Sequence, residues 1–273
     1  MIDKNLSFPA YLSHPSYGSS DLKAFRIGPP AAVQWKRSNR QDGTEATKLG
    51  TAAHCALLTP SLFDAAYWVK PEGMEFRSKE NKQLRDDVIA SGKEIIDLET
   101  LATVNDIAAA VRRKVQIQTD RAEWSIFWDC AESRLPCKGR PDWFDHEAVY
   151  DLKVSVVADK PAHSMAFAAH ANGWLNQLAH NRPGLEANGL RVKVGRLVIV
   201  SPNAPHYVHL LEVRENDMDF LEMDNENTRR EMAQCHRTGQ WPGTPDTWRI
   251  IELPASAAFT ESDLQGAEEA LTE

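Results

Sequence analysis

Residues 140–155, RPDWFDHEAVYDLKVS, form the stretch that decides the fold. Their β-branched and aromatic residues, interrupted by an acidic turn sequence, predict two short strands joined as a hairpin. Three of its charged residues, Asp142, Asp151 and Lys153, stand where a strand usually buries apolar side chains. Because side chains two apart in a strand lie on one face, Asp151 and Lys153 are expected to project together while Leu152 points into the core.

The two carboxylates of this hairpin suggest a metal site. If the two strands pair, Asp142 and Asp151 can converge on a hard cation such as Mg²⁺, which prefers oxygen ligands and keeps several waters. Lys153 would then stand beside the metal without binding it. The alternative is an ordinary edge hairpin with surface acids and a salt bridge, since such triplets are common. The spacing alone leaves both interpretations open.

The bulk composition indicates a globular protein. The chain has 273 residues, of which 42% are hydrophobic, enough for a substantial core. No apolar run approaches the roughly 18 to 20 residues that span a bilayer, and the start, MIDKNLSFPAYLSHP, lacks the layout of a signal peptide. We therefore expect a cytoplasmic protein without membrane contact. The cysteines form no CxxC pair and are expected to be reduced structural thiols: Cys55, Cys130, Cys137 and Cys235.

The charge distribution bears on nucleic-acid binding. A net charge of −8 argues against a generic basic coat, because phosphate binding is driven by lysine and arginine. Cationic residues nevertheless cluster at 36–40, 77–85, 112–114 and 191–196. Each cluster alone is more typical of a solvated helix face. An acidic exterior combined with a basic groove would still allow DNA binding.

The patterns along the chain predict an α+β fold. The predicted elements are a helix at 47–60, a helical stripe at 81–118, three antiparallel strands within 122–156, a helix at about 160–181, two strands within 190–214 and a helix at 216–238. His54 should lie in the middle of the first of these helices. We expect one domain, with an irregular helical N-terminal wrap at 1–45, a core at 46–245 and a C-terminal tail at 246–273.

The hairpin also matches a known motif. Pro141-Asp142, eight residues, and then Asp151-Leu152-Lys153 is the PD-(D/E)XK pattern of a large nuclease superfamily. Further stretches resemble one branch of it, the RecE-type exodeoxyribonuclease VIII proteins of phages and prophages. In chain order they are YGSSDLKAF, LGTAAHCALLTP, AEWSIFWD, LPCKGRPDWF, VYDLKVS, GWLNQLAH and GQWPG. Together they span nearly the whole chain in the same order as in that branch.

The resemblance implies a PD-(D/E)XK nuclease core, a central mixed β-sheet flanked by helices, with an N-terminal helical addition. It implies that Asp142, Asp151 and the Leu152 carbonyl bind Mg²⁺ or Mn²⁺, and that Lys153 orients the attacking water or stabilises phosphate charge. His54 falls on the histidine of a Gly-x-x-x-His element that reaches a metal from a neighbouring helix. Without the resemblance, a lone histidine in an apolar helix is more often a core residue.

The resemblance assigns further residues to the site. Gln177 matches a glutamine that would touch the DNA backbone or the attacking water, whereas Asn181 stands where the branch usually has tyrosine, which leaves that helix's contribution in doubt. Glu123 matches a recurring acid that would bind the metal or a ligand of the metal; an exposed acid at a strand start is the alternative. Lys138 and Arg140 are expected to contact DNA.

The implied activity is a metal-dependent 5′-to-3′ exonuclease. It would digest linear double-stranded DNA from a free end and leave 3′ single-stranded tails for phage-type recombination. The resemblance also implies a ring-shaped homo-oligomer, a tetramer in preference to a trimer, and a single-strand annealing protein as partner. The alternatives are a structure-specific endonuclease of the same fold and a DNA-binding scaffold without activity. The sequence has neither a Rossmann glycine fingerprint nor a P-loop.

Overall fold

Three β-sheets organise the protein in a computed structural model that describes residues 1–39 and 45–247. The strands, in chain order, are β1 (Ile2–Asp3), β2 (Tyr67–Val69), β3 (Glu94–Ile96), β4 (Ser125–Asp129), β5 (Pro136–Gly139), β6 (Trp143–Phe144), β7 (Ala148–Val154), β8 (Val194–Val200) and β9 (Val208–Val213). The largest sheet has the order β6-β7-β8-β9 and is mixed, because β7 and β8 run parallel while its other pairs are antiparallel. The second sheet, β1-β4-β5, is antiparallel, and β2 and β3 form a parallel pair.

Helices cover both faces of the mixed sheet. They are α1 (Phe8–Ser13), α2 (Ser19–Ile27), α3 (Ala31–Ser38), α4 (Glu45–Leu58), α5 (Phe63–Ala66), α6 (Lys79–Ala90), α7 (Leu98–Arg112), α8 (Ala162–Ala171), α9 (Trp174–Glu186) and α10 (Glu215–Thr238). Successive residues of β8 alternate between the two cores. Leu197 packs in a core with α9 and α10, whereas Val198 packs in a core with α4 and α7. The predicted α+β class, with a central mixed sheet flanked by helices, is confirmed.

The hairpin of β6 and β7 forms for local reasons. The Asp145 carboxylate accepts hydrogen bonds from the backbone N–H groups of Glu147 and Ala148, both at 2.7 Å, which closes the turn. Trp143 pairs with Tyr150 in the ladder, and their rings stack with centroids 4.6 Å apart. This register places residue 142 opposite residue 151, as the hairpin prediction required.

The structure differs from the sequence-based expectations in three places. The helix expected at 160–181 is broken at Gly173, whose φ of 71° lies in the left-handed region that ends a helix, so α8 and α9 are separate. The helical stripe expected at 81–118 is interrupted by β3. The region expected to hold three strands holds four, and they belong to two different sheets.

The chain divides into two units, Met1–Pro242 and Gly243–Glu273, and the description of the second stops at residue 247. Most of the expected tail at 246–273 therefore lies outside the described residues, and the expected boundaries near 45 and 245 stay predictions. All four cysteines are free thiols. Among the helices of the described ranges, none is long and apolar enough to cross a membrane.

Candidate active site

The candidate site lies at the β6–β7 hairpin, where α4 and α9 pack against β7. The strands supply Asp142, directly before β6, and Asp151 and Lys153 on β7. Leu152, between the last two, is fully buried, as the strand alternation predicted. The remaining side chains come from elsewhere: His54 from α4, Gln177 from α9 and Glu123 from the segment before β4.

Three of these side chains form a group that could hold a metal ion. The ligand atoms of His54, Glu123 and Asp142 all lie within 4.8 Å of one another. Within this group, His54 Nδ1 and Asp142 Oδ1 are 3.7 Å apart. The second Asp142 oxygen accepts a hydrogen bond from the Leu152 N–H at 2.5 Å, so the carboxylate is fixed against the strand. The site therefore offers two carboxylates and an imidazole to one position.

Asp151 anchors the other half of the site. Its Oδ1 accepts hydrogen bonds from Lys153 Nζ at 3.0 Å and from Gln177 Nε2 at 2.9 Å. Lys153 Nζ also donates to Gln177 Oε1 at 3.1 Å, which closes a triangle of three side chains. Asp151 Oδ2 lies 2.8 Å from the ammonium, yet it is buried and receives no hydrogen bond. This oxygen is ion-paired with Lys153 but accepts no well-directed hydrogen bond, so it keeps lone pairs that a metal cation could use.

The carboxylates of the site are crowded. Burial, and then the charge of Asp151, raise the pKa of Asp142 well above its usual range. Burial, and then the charge of Asp142, likewise raise the pKa of Glu123, although Arg140 partly opposes this. In both acids a neighbouring carboxylate disfavours the charged form, and a bound divalent cation would offset this repulsion. The electrostatics therefore favour metal binding.

The basic groups of the site have different protonation states. Burial, and then the Lys153 ammonium, lower the pKa of His54, so its ring is neutral and able to bind a metal at neutral pH. The negative charges of Glu123 and Asp151 oppose this shift. Burial also lowers the pKa of Lys153, but the Asp151 and Asp142 carboxylates more than offset it. Lys153 is therefore a stable ammonium.

The donor set fits a divalent metal, with one difference from the expected ligands. The resemblance implies His54, Asp142, Asp151 and the Leu152 carbonyl as ligands, with Glu123 as a further ligand or as a partner of one. Among the described residues, the group of three neighbouring ligand atoms joins His54 and Asp142 to Glu123 and does not include Asp151. The structure brings all of these residues together at one place. Their individual roles as ligands stay predictions, as does the role of Gln177.

Lys138 lies apart from this site. It is 4% exposed, and its ammonium donates hydrogen bonds to the carbonyls of Tyr11, Leu12 and His14 at 2.8–2.9 Å. An ammonium has three donors, and three carbonyls occupy them. The expected DNA contact of Lys138 is not supported by this placement, because a phosphate could reach the ammonium only after these bonds break.

Arg140 is also held by the protein itself. Its guanidinium donates to the Glu123 carboxylate at 2.6 Å and to the Leu6 carbonyl at 3.0 Å, and its side chain is only 14% exposed. These bonds occupy its Nε and Nη1 groups, and its expected contact with DNA stays a prediction. Sequence reasoning missed the Arg140–Glu123 pair, since 17 residues separate the partners and no local motif links them.

The departure at position 181 has a packing explanation. Asn181 is buried, and its Oδ1 would lie 2.4 Å from a Cβ added to Gly139 on β5. A tyrosine ring could not take the place of this amide without displacing β5 or adopting another rotamer. The asparagine therefore matches the close approach of α9 and β5 at this point.

The comparisons with known proteins support the same reading of the fold. The family model described as a PDDEXK-like domain of unknown function (DUF3799) matches residues 18–252. No curated protein matches the chain. A crystal structure named "Putative exonuclease", from Eubacterium rectale, is similar over 90% of this chain and 97% of its own, with 12% identity and a TM-score of 0.54. At that identity the likeness shows the fold alone.

A second solved structure, LHK-Exo in complex with dAMP, aligns with 71% of this chain and 91% of its own. Its identity is 12% and its TM-score 0.29, which is too low to carry an argument. The evidence for the family is the family model, which covers most of the sequence and includes the whole β6–β7 hairpin. The chain therefore belongs to the family of PDDEXK-like domains.

Proposed function

We propose that the protein is a metal-dependent exonuclease that digests linear double-stranded DNA from its 5′ ends and leaves 3′ single-stranded tails. The observation that carries this proposal is the convergence of Asp142, Asp151 and Lys153 with His54 and Glu123 at one hairpin of a PDDEXK-like fold. Carboxylates, an imidazole and an ammonium at one place are the groups that phosphodiester hydrolysis with a metal requires.

The residues divide the chemistry among themselves. His54, Glu123 and Asp142 would hold Mg²⁺ or Mn²⁺, with Asp151 Oδ2 beside them, and the cation would polarise the phosphate and make a bound water more acidic. Lys153, which keeps its proton, can donate to a phosphate oxygen and stabilise developing negative charge. It is not suited to remove a proton from water in this state.

Gln177 orients the reacting groups. Its amide donates to Asp151 Oδ1 and accepts from Lys153 Nζ, so it holds the acid and the ammonium in a fixed relation. A phosphate oxygen entering the site would accept a hydrogen bond from Lys153 in place of one that the ammonium now donates to Gln177. The amide would then be free to contact the DNA backbone or the attacking water.

Several finer parts of the proposal rest on the RecE-type resemblance. These are the 5′-to-3′ polarity, a role in phage-type recombination, a single-strand annealing partner and a cytoplasmic location. Exonuclease rather than endonuclease activity is supported by the same resemblance and agrees with the name of the Eubacterium rectale structure. A ring-shaped homo-oligomer, a tetramer in preference to a trimer, would reconcile DNA binding with a net charge of −8 if its lumen is basic.

The proposal can be tested in one gel experiment. Linear duplexes labelled at either the 5′ or the 3′ end, and a covalently closed circle, are incubated with the protein and Mg²⁺ or Mn²⁺, with and without a chelator. We expect early release of the 5′ label, survival of the circle and no reaction with chelator. The Asp151→Asn protein provides the inactive control.

Other results would redirect the proposal. Nicking of the circle as fast as digestion of linear DNA would establish the endonuclease alternative. Binding without cleavage under both metals would establish the scaffold alternative, although that alternative predicts loss of Asp142, Asp151 or Lys153, and all three are present. If light scattering showed a monomer in solution, the proposed ring-shaped homo-oligomer would be wrong.

A further inference from the structure

Arg140 occupies a junction between the candidate site and the N-terminal part of the chain. Its Nε donates to Glu123 Oε2 at 2.6 Å, and its Nη1 donates to the Leu6 carbonyl at 3.0 Å and to Ser125 Oγ at 3.2 Å. The three acceptors lie around one planar group. A lysine ammonium is a single point and does not reproduce this fork, so the geometry requires arginine.

The N-terminal arm, residues 6–14, surrounds this guanidinium. The rings of Phe8 and Tyr11 each lie with their centroid 5.7 Å from the central carbon of Arg140. The arm is fixed at its other end, because the Lys138 ammonium binds the carbonyls of Tyr11 and Leu12 in the last turn of α1 and that of His14 just beyond it, where a cation is favoured by the helix dipole. Arg140 is therefore held in place by an element that contributes no side chain to the metal-binding group.

Glu123 is held by both its backbone and its side chain. Its φ is 58°, in the left-handed region that a non-glycine residue rarely adopts, and its N–H donates to the Asp142 carbonyl at 3.0 Å. Such a conformation persists only where surrounding contacts determine it. Here the Asp142 backbone fixes the main chain and Arg140 fixes the carboxylate, which directs the Glu123 carboxylate toward His54 and Asp142.

We infer that Arg140 is a positioning residue that holds Glu123 as a metal ligand, and that the N-terminal arm completes the active site by holding Arg140. This inference rests on the proposed metal-dependent function. In this role Arg140 affects metal binding by holding the Glu123 carboxylate, and it does not need to contact DNA. This role also gives the N-terminal arm a part in metal affinity rather than only in stability.

The test measures metal binding directly, without DNA. Mn²⁺ affinity of the full chain is determined by electron paramagnetic resonance for the wild type and for Arg140→Lys. We expect about 10-fold weaker binding in the variant, the usual loss when the partner of a ligand is removed. Arg37→Lys is the matched control, because Arg37 also bonds a carboxylate and backbone carbonyls, those of Asp21, Ser16 and Pro15, but not a candidate ligand. Its Mn²⁺ affinity should equal that of the wild type.

A double-mutant cycle shows whether Arg140 acts through Glu123. In a Glu123→Gln background, Arg140→Lys should no longer change Mn²⁺ affinity, since the ligand it positions is gone. Full additivity of the two changes would overturn the inference, as would an affinity equal to wild type in Arg140→Lys. If Arg140→Lys does not fold, Phe8→Ala takes its place: Phe8 is 54% exposed, and its loss should weaken Mn²⁺ binding by a few fold.

The outcomes separate this inference from the proposed function. A wild-type protein that binds no Mn²⁺ would overturn the metal-dependent function and this inference together. A wild type that binds Mn²⁺ tightly, with unchanged affinity in Arg140→Lys or in the Phe8→Ala substitute, would overturn this inference alone.

Discussion

Two buried charged clusters of this protein differ in how their charges are balanced. One is the candidate active site. The other, the Arg229 cluster, consists of Arg229, Glu222, Glu226 and His180, where α10 meets α9. Arg229 is 1% exposed, donates to both glutamates and directs its Nη1 at His180 Nδ1. One guanidinium thus serves two carboxylates and a neutral ring.

The pKa shifts show the difference between the clusters. Burial raises the pKa of Glu222 to about 7, and the neighbouring arginines Arg229 and Arg182 oppose that shift. In the active site, a neighbouring carboxylate adds to the effect of burial for both Asp142 and Glu123. Each cluster contains one buried carboxylate oxygen without a hydrogen bond, so that feature alone does not distinguish them. The two clusters are distinguished by the crowding of like charges in the active site, and this crowding marks a site that needs a bound cation.

The largest effect should follow from removing the active-site ammonium. Lys153→Met is expected to lower the rate of DNA hydrolysis by about 1,000-fold, because the donor that stabilises phosphate charge is lost. The rate is measured with saturating Mg²⁺ on linear duplex. Lys160→Met is the control, since Lys160 is exposed just beyond the same strand, and its rate should match the wild type. A Lys153→Met rate within 10-fold of the wild type would contradict the assignment.

The Arg229 cluster should respond in stability and not in activity. Arg229→Met leaves two partly buried glutamates without their cation and should lower the free energy of unfolding by about 3 kcal/mol. Urea denaturation measures this change, and the hydrolysis rate per folded molecule should stay constant. Arg230→Met, at an exposed ion pair with Glu132, should change stability little. If Arg229→Met lost activity without losing stability, the assignment of a purely structural role to the Arg229 cluster would be wrong.

Metal binding should stabilise only one of the two clusters. Mn²⁺ at 100 times its dissociation constant is expected to raise the free energy of unfolding by about 2.7 kcal/mol, because the folded chain binds it and the unfolded chain does not. Arg229→Met should gain the same increment, since the clusters share no residue. Chelator should reverse the gain in both proteins. An increment that disappears in Arg229→Met would show that the clusters are coupled.

The smallest effect should be a pH dependence of the metal-free protein. Because the folded pKa of Asp142 lies above its unfolded value of about 3.9, its protonated form contributes stability that is present below the unfolded value and lost as pH rises through the folded one. Asp142→Asn keeps an acceptor for the Leu152 N–H but does not titrate. Its stability relative to the wild type should therefore rise by about 1.4 kcal/mol for each pH unit between about pH 5 and about pH 7. A constant difference would show that Asp142 is not crowded.

The sequence was sufficient for the hairpin because strand alternation is a local rule. Spacing placed Asp142 opposite Asp151 and set Lys153 beside Asp151, and the ladder register agrees. Helical periodicity likewise placed His54 in the middle of a helix. That His54 approaches Asp142 came from the resemblance, since periodicity does not say which helix packs on which strand.

The features that sequence reasoning missed depend on distant contacts. The strands β2 and β3 have three residues each and pair across 27 positions, so the apolar residue Ile95 was interpreted as part of a helical stripe. The break at Gly173 was overlooked because apolar residues continue on both sides of it. For Lys138 and Arg140, a positive charge near a catalytic motif suggests DNA contacts, which stay predictions. The bonds of both side chains to groups within the protein are long-range and are not visible in the sequence.

The anchoring of α1 by Lys138 sets an order of events during synthesis. The ammonium meets carbonyls that precede it by 124 to 127 residues, so these carbonyls leave the ribosome long before their partner is made. At about 5 to 20 residues per second, the delay is roughly 6 to 25 s. The start of the chain must wait undocked for that time, and Gln177 arrives later still. A nascent chain therefore cannot assemble this site until well over half of it has been translated.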